Sequence, residues 1–150
     1  MLSPEKTFWF MYYIKSPERG DNQFESKFRS RFRLPYDTFI ELYEIVKKDI
    51  FFIRWNCYNN GNNPRLGLLL LGVLRYLGRG WTFDDLEEAT AISTHVHRDF
   101  IHQFLQFGRN VLYPKHVKYP INTHVLFAFH MQHLVLDISD VASFLCISSY

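Results

Sequence analysis

Apolar side chains recur at helical spacing along most of the chain. One such stretch follows Pro35, has acidic residues early and lysines late, and carries its apolar residues at Phe39, Leu42, Tyr43, Val46 and Ile50. Proline suits the first turn of a helix, and this order of charges complements the helix dipole. The pattern therefore predicts an amphipathic helix that starts at Pro35.

Three further helices are predicted in the middle of the chain. The first starts at Asn63 and Pro64 and is apolar on nearly every side, as expected of a helix in the middle of a bundle. Gly78 and Gly80 end it, and Thr82 with Asp85 three residues later forms a capping-box pattern that starts a short acidic helix.

The third of these helices follows a turn at Ile92, with Ser93 placed to cap it. Its apolar stripe runs through Val96, Phe100, Phe104 and Phe107, and we expect it to stop between Gly108 and Leu112. Long, short and long helices joined by tight turns are typical of a helix-turn-helix, whose last helix reads the major groove. The spacing therefore predicts a helix-turn-helix-like unit over residues 64–112.

Together these patterns predict an all-α protein, a small helical bundle that contains a helix-turn-helix-like trihelical unit. We expect an aromatic and basic N-terminal arm or helix over 1–33, the bundle over 34–118 and an apolar C-terminal tail over 119–150. Asn and Gly residues between Asn59 and Asn63 predict the longest internal loop. The tail has no Lys or Arg, and it is either a helix that covers the bundle or a segment of recent origin from altered splicing or reading frame.

Composition narrows the function classes. The 150 residues suit one domain, and 47% hydrophobic with 21% charged residues is typical of a folded globular chain. A formal net charge of +2 is small, so any nucleic-acid contact must come from local clusters of Lys and Arg. The two cysteines, Cys57 and Cys146, lie far apart in the sequence. This favours small core residues in a reducing compartment over a disulfide framework. We expect neither a signal peptide nor a membrane partner.

Two groups of residues are candidate DNA contacts. The first is the basic run Lys27, Arg29, Arg31 and Arg33, which alternates with phenylalanine and serine. This run is either a half-buried helix, whose long cationic side chains lie along apolar surface, or an arm that contacts phosphates. The two interpretations are compatible if one face of the segment packs on the protein and the other contacts DNA. The second group lies on the hydrophilic side of the last predicted helix and comprises Thr94, His95, Arg98 and His102. These side chains can contact phosphates or base edges, and a helix pair that only supports the fold or binds protein is the alternative.

Other chemistry is not indicated. His95 and His97 lie two apart on a predicted helix, about 200° around its axis, which prevents joint ligation of a metal and favours exposed or capping histidines. Four acidic residues fan around the short helix, which indicates a solvated face: Asp84, Asp85, Glu87 and Glu88. We expect no catalytic and no metal-binding residues. Glu87 also occupies a position where helix-turn-helix units normally have a small residue, which predicts a looser helix crossing.

Three blocks of sequence carry a family resemblance: Arg31-Phe-Arg-Leu-Pro-Tyr36, the stretch from Leu70 to Ser93, and Val111-Leu-Tyr-Pro114. Residues 28–120, about three fifths of the chain, resemble the N-terminal region of PIF/Harbinger transposases. The resemblance implies a nuclear protein whose helical region binds transposon ends, followed by an RNase H-like domain in which three acids hold a divalent metal such as Mg²⁺. Asp137 lacks the glycines and the histidine that surround the first of those acids, so no catalytic role is transferred to it.

The sequence therefore predicts a truncated Harbinger-like fragment, a DNA-binding module without the nuclease core and without a cofactor of its own. One alternative is a helical protein-interaction or assembly module that associates with itself or with a partner protein. The others are an inactive transposon remnant and a metal-dependent DNA endonuclease.

Overall fold

Helices make up the architecture of the described residues, which are 3–56 and 64–116 in this computed structural model. The α-helices are α1 Asn22–Phe32, α2 Tyr36–Lys48, α3 Ile53–Asn56, α4 Pro64–Arg79, α5 Phe83–Thr90, α6 Thr94–Phe107 and α7 Tyr113–His116. Short 3₁₀ turns cover Pro4–Lys6 and Ile50–Phe52, and π-helical turns cover Phe10–Lys15 and Gly108–Leu112. No strand occurs in these two ranges, and the all-α prediction is confirmed.

Several predictions fall on other residues. The loop from Asn59 to Asn63, both cysteines, Asp137 and the tail over 119–150 lie outside the described residues.

Helix α1 is defined by its two ends and one aromatic stripe. The Asp21 carboxylate accepts hydrogen bonds from the backbone N–H groups of Gln23 and Phe24, which satisfies donors that the first turn leaves free. Arg33 ends the helix in the left-handed conformation, with φ 61°. Between these ends, three phenylalanines four residues apart are fully buried: Phe24, Phe28 and Phe32.

The segment before α1 packs into the same core. Trp9 contacts Phe32 with ring centroids 5.2 Å apart, and Tyr13 contacts Phe28 at 5.4 Å. The Tyr36 hydroxyl donates to the Tyr13 carbonyl over 2.9 Å and so joins α2 to this segment. Burial raises the pKa of the Tyr13 hydroxyl, and the neighbouring Arg31 guanidinium opposes part of that rise. The aromatic N-terminal region is therefore part of one continuous core.

Helix α4 lies in the middle of the bundle, as its pattern predicts. It packs against α1, α2, α3, α5, α6 and both N-terminal turns. Seven of its apolar side chains are at most 2% exposed, and Leu77 is half-buried: the seven are Leu66, Leu68, Leu69, Leu70, Leu71, Val73 and Leu74. A helix that is apolar on nearly every side needs neighbours on nearly every side, and α4 has them.

The connections around α5 are short and capped. Thr82 and Asp85 form the predicted capping box: the Thr82 hydroxyl accepts from the Asp85 N–H over 3.2 Å, and the Asp85 carboxylate accepts from the Thr82 N–H over 2.9 Å. Asp85 has a lowered pKa because of the backbone hydrogen bond from Thr82. At the other end, Ala91 turns the chain in the left-handed conformation, with φ 55°, and α6 begins three residues later.

The N-terminus of α6 corrects two predictions. Ser93 occupies the N-cap position, but its side chain makes no capping hydrogen bond. The Glu87 carboxylate on α5 accepts from the Thr94 N–H instead, over 2.8 Å. Glu87 therefore links the two helices through its carboxylate, and α5 and α6 pack closely in its presence.

The C-terminus of α6 also differs from expectation. The α-helix ends at Phe107, but the helical path continues through Gly108–Leu112 into α7. Gly108 keeps a right-handed helical conformation and is buried, and Leu112 is buried as well. The α-helix therefore ends one residue before the predicted range, and the buried Gly108 and Leu112 continue the helical path beyond it.

We predict that Ala91→Gly stabilises the protein by about 1 kcal/mol, because glycine adopts the left-handed conformation without the steric penalty that Ala91 carries. Denaturant unfolding of both proteins measures the difference. Ala89→Gly, within α5, is the matched control and should cost about 1 kcal/mol instead. Equal destabilisation by both changes would contradict the assigned turn.

Candidate nucleic-acid interface

The hydrophilic face of α6 is accessible. His95, Arg98 and His102 are exposed, and Thr94 is half-buried beside the Glu87 carboxylate. The opposite face carries the predicted apolar stripe, in which Phe100, Phe104 and Phe107 are fully buried. The structure therefore keeps these four predicted contacts together on the outer side of one helix that is anchored by its other side.

Arg98 is held in place by aromatic contacts. Its guanidinium lies over the Phe83 ring, 5.3 Å from the centroid, and Phe83 stacks on Tyr76 with centroids 5.1 Å apart. These contacts connect α6 with α5 and α4. A cation stacked on a ring loses part of its freedom before it meets a ligand, which lowers the cost of ordering it on binding.

The basic run of α1 is exposed but divided. Lys27 and Arg31 lie four residues apart on one flank of the buried phenylalanine stripe, whereas Arg29 lies on the other flank. Arg33 follows the helix in its left-handed C-terminal position. This is the half-buried helix that one of the two interpretations predicts, and it does not present all four cations on a single face.

Two arginines of α4 join the end of this run. The Arg75 guanidinium donates from Nη1 to the Arg31 carbonyl over 2.6 Å, and Arg79 donates from Nη2 to the Ser30 carbonyl over 3.0 Å. Arg33 packs on Gly78, where a Cβ atom would lie 3.3 Å from the Arg33 Cγ. We call Arg31, Arg33, Arg75 and Arg79 the arginine cluster.

The arginine cluster carries positive charge without a carboxylate partner. Among residues 3–56 and 64–116, none of its members forms an ion pair with an acidic side chain. Burial lowers the pKa of Arg75, and the charges of Arg31, Arg79 and Arg33 lower it further. The Arg75 guanidinium also lies over Trp81, 4.1 Å from the ring centroid.

Sequence reasoning missed Arg75 and Arg79. Both lie on the helix predicted to be apolar on nearly every side, which drew attention to its leucines. Their spacing of four residues was the available signal, since it places two cations on one side of that helix.

His97 is not an exposed or capping residue, and that prediction is wrong. Its ring is 0% exposed at the contact of α4, α5 and α6. Nε2 lies 2.8 Å from the Thr90 hydroxyl oxygen, and that hydroxyl donates to the Leu86 carbonyl over 2.7 Å. The hydrogen-bond network therefore assigns the proton to Nε2 and leaves Nδ1 as an unpartnered buried acceptor.

The described parts of the chain offer neither a metal site nor a membrane-spanning helix. No group of three His, Cys, Asp or Glu side chains there could hold a metal ion. No helix there combines the length and apolar character needed to cross a membrane. In comparisons with known proteins, no family model, curated protein or solved structure matches this chain.

We predict that His97 makes the protein sensitive to acid. Burial lowers the pKa of His97 from the ordinary 6.5 to about 4, so between these values the unfolded chain binds a proton that the folded chain excludes. Stability from this group is complete above pH 6.5 and is lost as the pH falls to about 4, by about 3 kcal/mol.

Urea unfolding at several pH values measures this dependence. His97→Gln should flatten it between pH 4 and about 6.5, whatever its effect on absolute stability, because the titrating group is gone. Gln106→Asn, a change without a titrating group at an exposed position of the same helix, should leave the dependence unchanged. The same slope in wild type and His97→Gln would refute the assignment.

Proposed function

We propose that this chain is a helical DNA-binding module in which α4, α5 and α6 act as a helix-turn-helix-like unit and α6 reads the major groove. One observation carries the proposal: α6 is fixed to the bundle by its phenylalanine face while His95, Arg98 and His102 point outward. A duplex reader needs both a rigid support and a free polar face.

The dimensions of α6 suit a groove. Its 14 residues give a rod of about 21 Å, and the major groove of B-DNA, about 12 Å wide, admits one helix. Arg98 can contact a phosphate or the O6 and N7 atoms of guanine, while His95 and His102 offer ring nitrogens to base edges.

The N-terminus of α6 is poorly suited to bind a phosphate. A helix N-terminus commonly binds phosphate through its free N–H groups, but here the Glu87 carboxylate already accepts from the Thr94 N–H. A phosphate would meet this negative charge. Contacts to DNA are therefore assigned to the side chains along α6 and not to its N-terminal backbone.

The family resemblance supports the same reading. Its most specific block, from Leu70 to Ser93, corresponds to the second half of α4, to α5 and to the turn before α6. On this basis we propose a Harbinger-like DNA-binding module that acts in the nucleus on transposon ends. Our proposal assigns DNA binding, and not cleavage, to the described residues.

An assembly module is the second candidate, favoured by an apolar surface between α2 and α3. Ile50 is 77% exposed, and Ile53 and Phe51 beside it are 51% and 42% exposed. Contiguous exposed apolar side chains mark protein contacts more often than isolated ones do. Self-association through this surface and DNA binding by α6 would use different residues.

We predict that the protein binds a short labelled duplex with an affinity that falls linearly with salt on a log-log scale, as measured by fluorescence anisotropy. Arg98→Ala should weaken this binding by about 1 to 3 kcal/mol if Arg98 contacts a base, and should lower the salt slope by about 1 if it contacts a phosphate.

Arg19→Ala is the matched control for Arg98→Ala. Arg19 is also an exposed arginine over an aromatic ring, 5.4 Å from the Tyr36 centroid, but it lies in the segment before α1 and contacts α2. Arg19→Ala should bind DNA like the wild type. Absent or salt-insensitive binding, or equal losses in both variants, would end the proposal.

The assembly candidate has its own prediction. Sedimentation equilibrium should show concentration-dependent association that Ile50→Ser with Ile53→Ser abolishes, because both side chains are more than half exposed in the single chain. His102→Gln serves as the comparison on the α6 face. A strict monomer at all concentrations would remove this candidate.

A further inference from the structure

The arginine cluster joins the C-terminal ends of two helices. Arg75 and Arg79 come from the last turns of α4, and Arg31 and Arg33 come from the end of α1. Helix C-termini carry partial negative charge and free carbonyls, which explains why cations gather there. It does not explain why four of them gather with no carboxylate paired to them among residues 3–56 and 64–116.

Helix capping uses only a small part of the available hydrogen bonding. A guanidinium has five N–H donors, and Arg75 and Arg79 each give one bond to a carbonyl of α1. Arg33 and Arg79 are exposed, so most of their donors face solvent. The cluster therefore keeps a surplus of donors as well as a surplus of charge.

Arg75 is held in position before any ligand arrives, and the stem of Arg33 is packed. Arg75 is clamped between the Arg31 carbonyl and the Trp81 ring, and Trp81 is itself packed against Trp9 with centroids 5.5 Å apart. Arg33 rests on the bare backbone of Gly78. Like charges held together in this way repel one another, and an anion with several oxygens removes that repulsion.

We propose that the arginine cluster binds the phosphate groups of a nucleic-acid backbone. Guanidinium forks match phosphate oxygens in bidentate geometry, and neighbouring backbone phosphates supply the two or more anions that four arginines can accept. This inference rests on the proposed function, because it makes the cluster a second contact beside α6. The two sites are connected: Arg98 stacks on Phe83, and Phe83 stacks on Tyr76, the residue next to Arg75.

The test is the salt dependence of duplex binding by the whole chain with Arg33→Gln and Arg79→Gln combined. We expect the log-log salt slope to fall by up to about 2 relative to wild type, since each lost phosphate contact removes about 0.9 from it. Lys15→Gln with Lys48→Gln is the control, with the same loss of charge at two other exposed positions. Ile14, the neighbour of Lys15, packs on Gly67 near the N-terminal end of α4, whereas Arg75 and Arg79 lie near its C-terminal end.

Two outcomes decide the proposal. A slope that falls in the arginine variant and not in the lysine variant supports it. Equal slopes in all three proteins, or equal reductions in both variants, overturn it, since net charge alone then accounts for the effect. If circular dichroism shows that the double variant is unfolded, Arg33→Gln alone replaces it, because the Arg33 side chain caps no carbonyl; its slope should fall by about 1.

A second probe separates this proposal from the proposed function. Calorimetry with inorganic tripolyphosphate tests the cluster without DNA. If the wild type ignores duplex DNA but binds tripolyphosphate, and the arginine variant does not, the DNA-binding function fails and the backbone assignment is overturned in favour of a free polyphosphate. If neither duplex nor tripolyphosphate binds, the cluster has only its capping role and the proposal is also overturned.

Discussion

The His97 ring of α6 lies against Gly72 of α4, which has no side chain of its own. A Cβ atom at Gly72 would lie 2.9 Å from two ring atoms, closer than carbon atoms normally pack. The fully buried ring fills this space and is fixed by the Thr90 hydroxyl. Because α6 is placed through this contact, the direction of its outer face depends on a glycine, an imidazole and a hydroxyl that never meet solvent.

Arg75 and Arg79 of α4 have two structural roles. Their stems lie beside the apolar core, and their guanidinium groups satisfy carbonyls that α1 leaves free at its C-terminus. A half-buried charge such as that of Arg75 is costly unless it is hydrogen-bonded or paired, and within the described parts of the chain Arg75 has one carbonyl partner and no acidic partner. Capping by arginine therefore stabilises the junction of α1 and α4 and concentrates positive charge there at the same time.

Local signals in the sequence predicted the structure well. Helical spacing located α2, α4, α5 and α6, and the pair Thr82 and Asp85 located the start of α5, because these patterns depend on residues within one or two turns. The missed features depend on contacts between helices. Glu87 reaches from α5 to the N-terminus of α6, and His97 is buried only because α4 has Gly72 opposite it.

The residues of the candidate site also form two groups, one that could be predicted from the sequence and one that could not. The α6 face follows from helical periodicity, so Thr94, His95, Arg98 and His102 could be grouped from sequence. The arginine cluster could not, because its members come from segments more than 40 residues apart. The π-helical turn Gly108–Leu112 follows α6 directly. Each such turn accommodates one extra residue inside a continuous rod, closed here by a hydrogen bond from the Tyr113 N–H to the Gly108 carbonyl. Removing one residue near Gly108 would return this turn to α-helical spacing, while the register of α6, which precedes it, would stay the same.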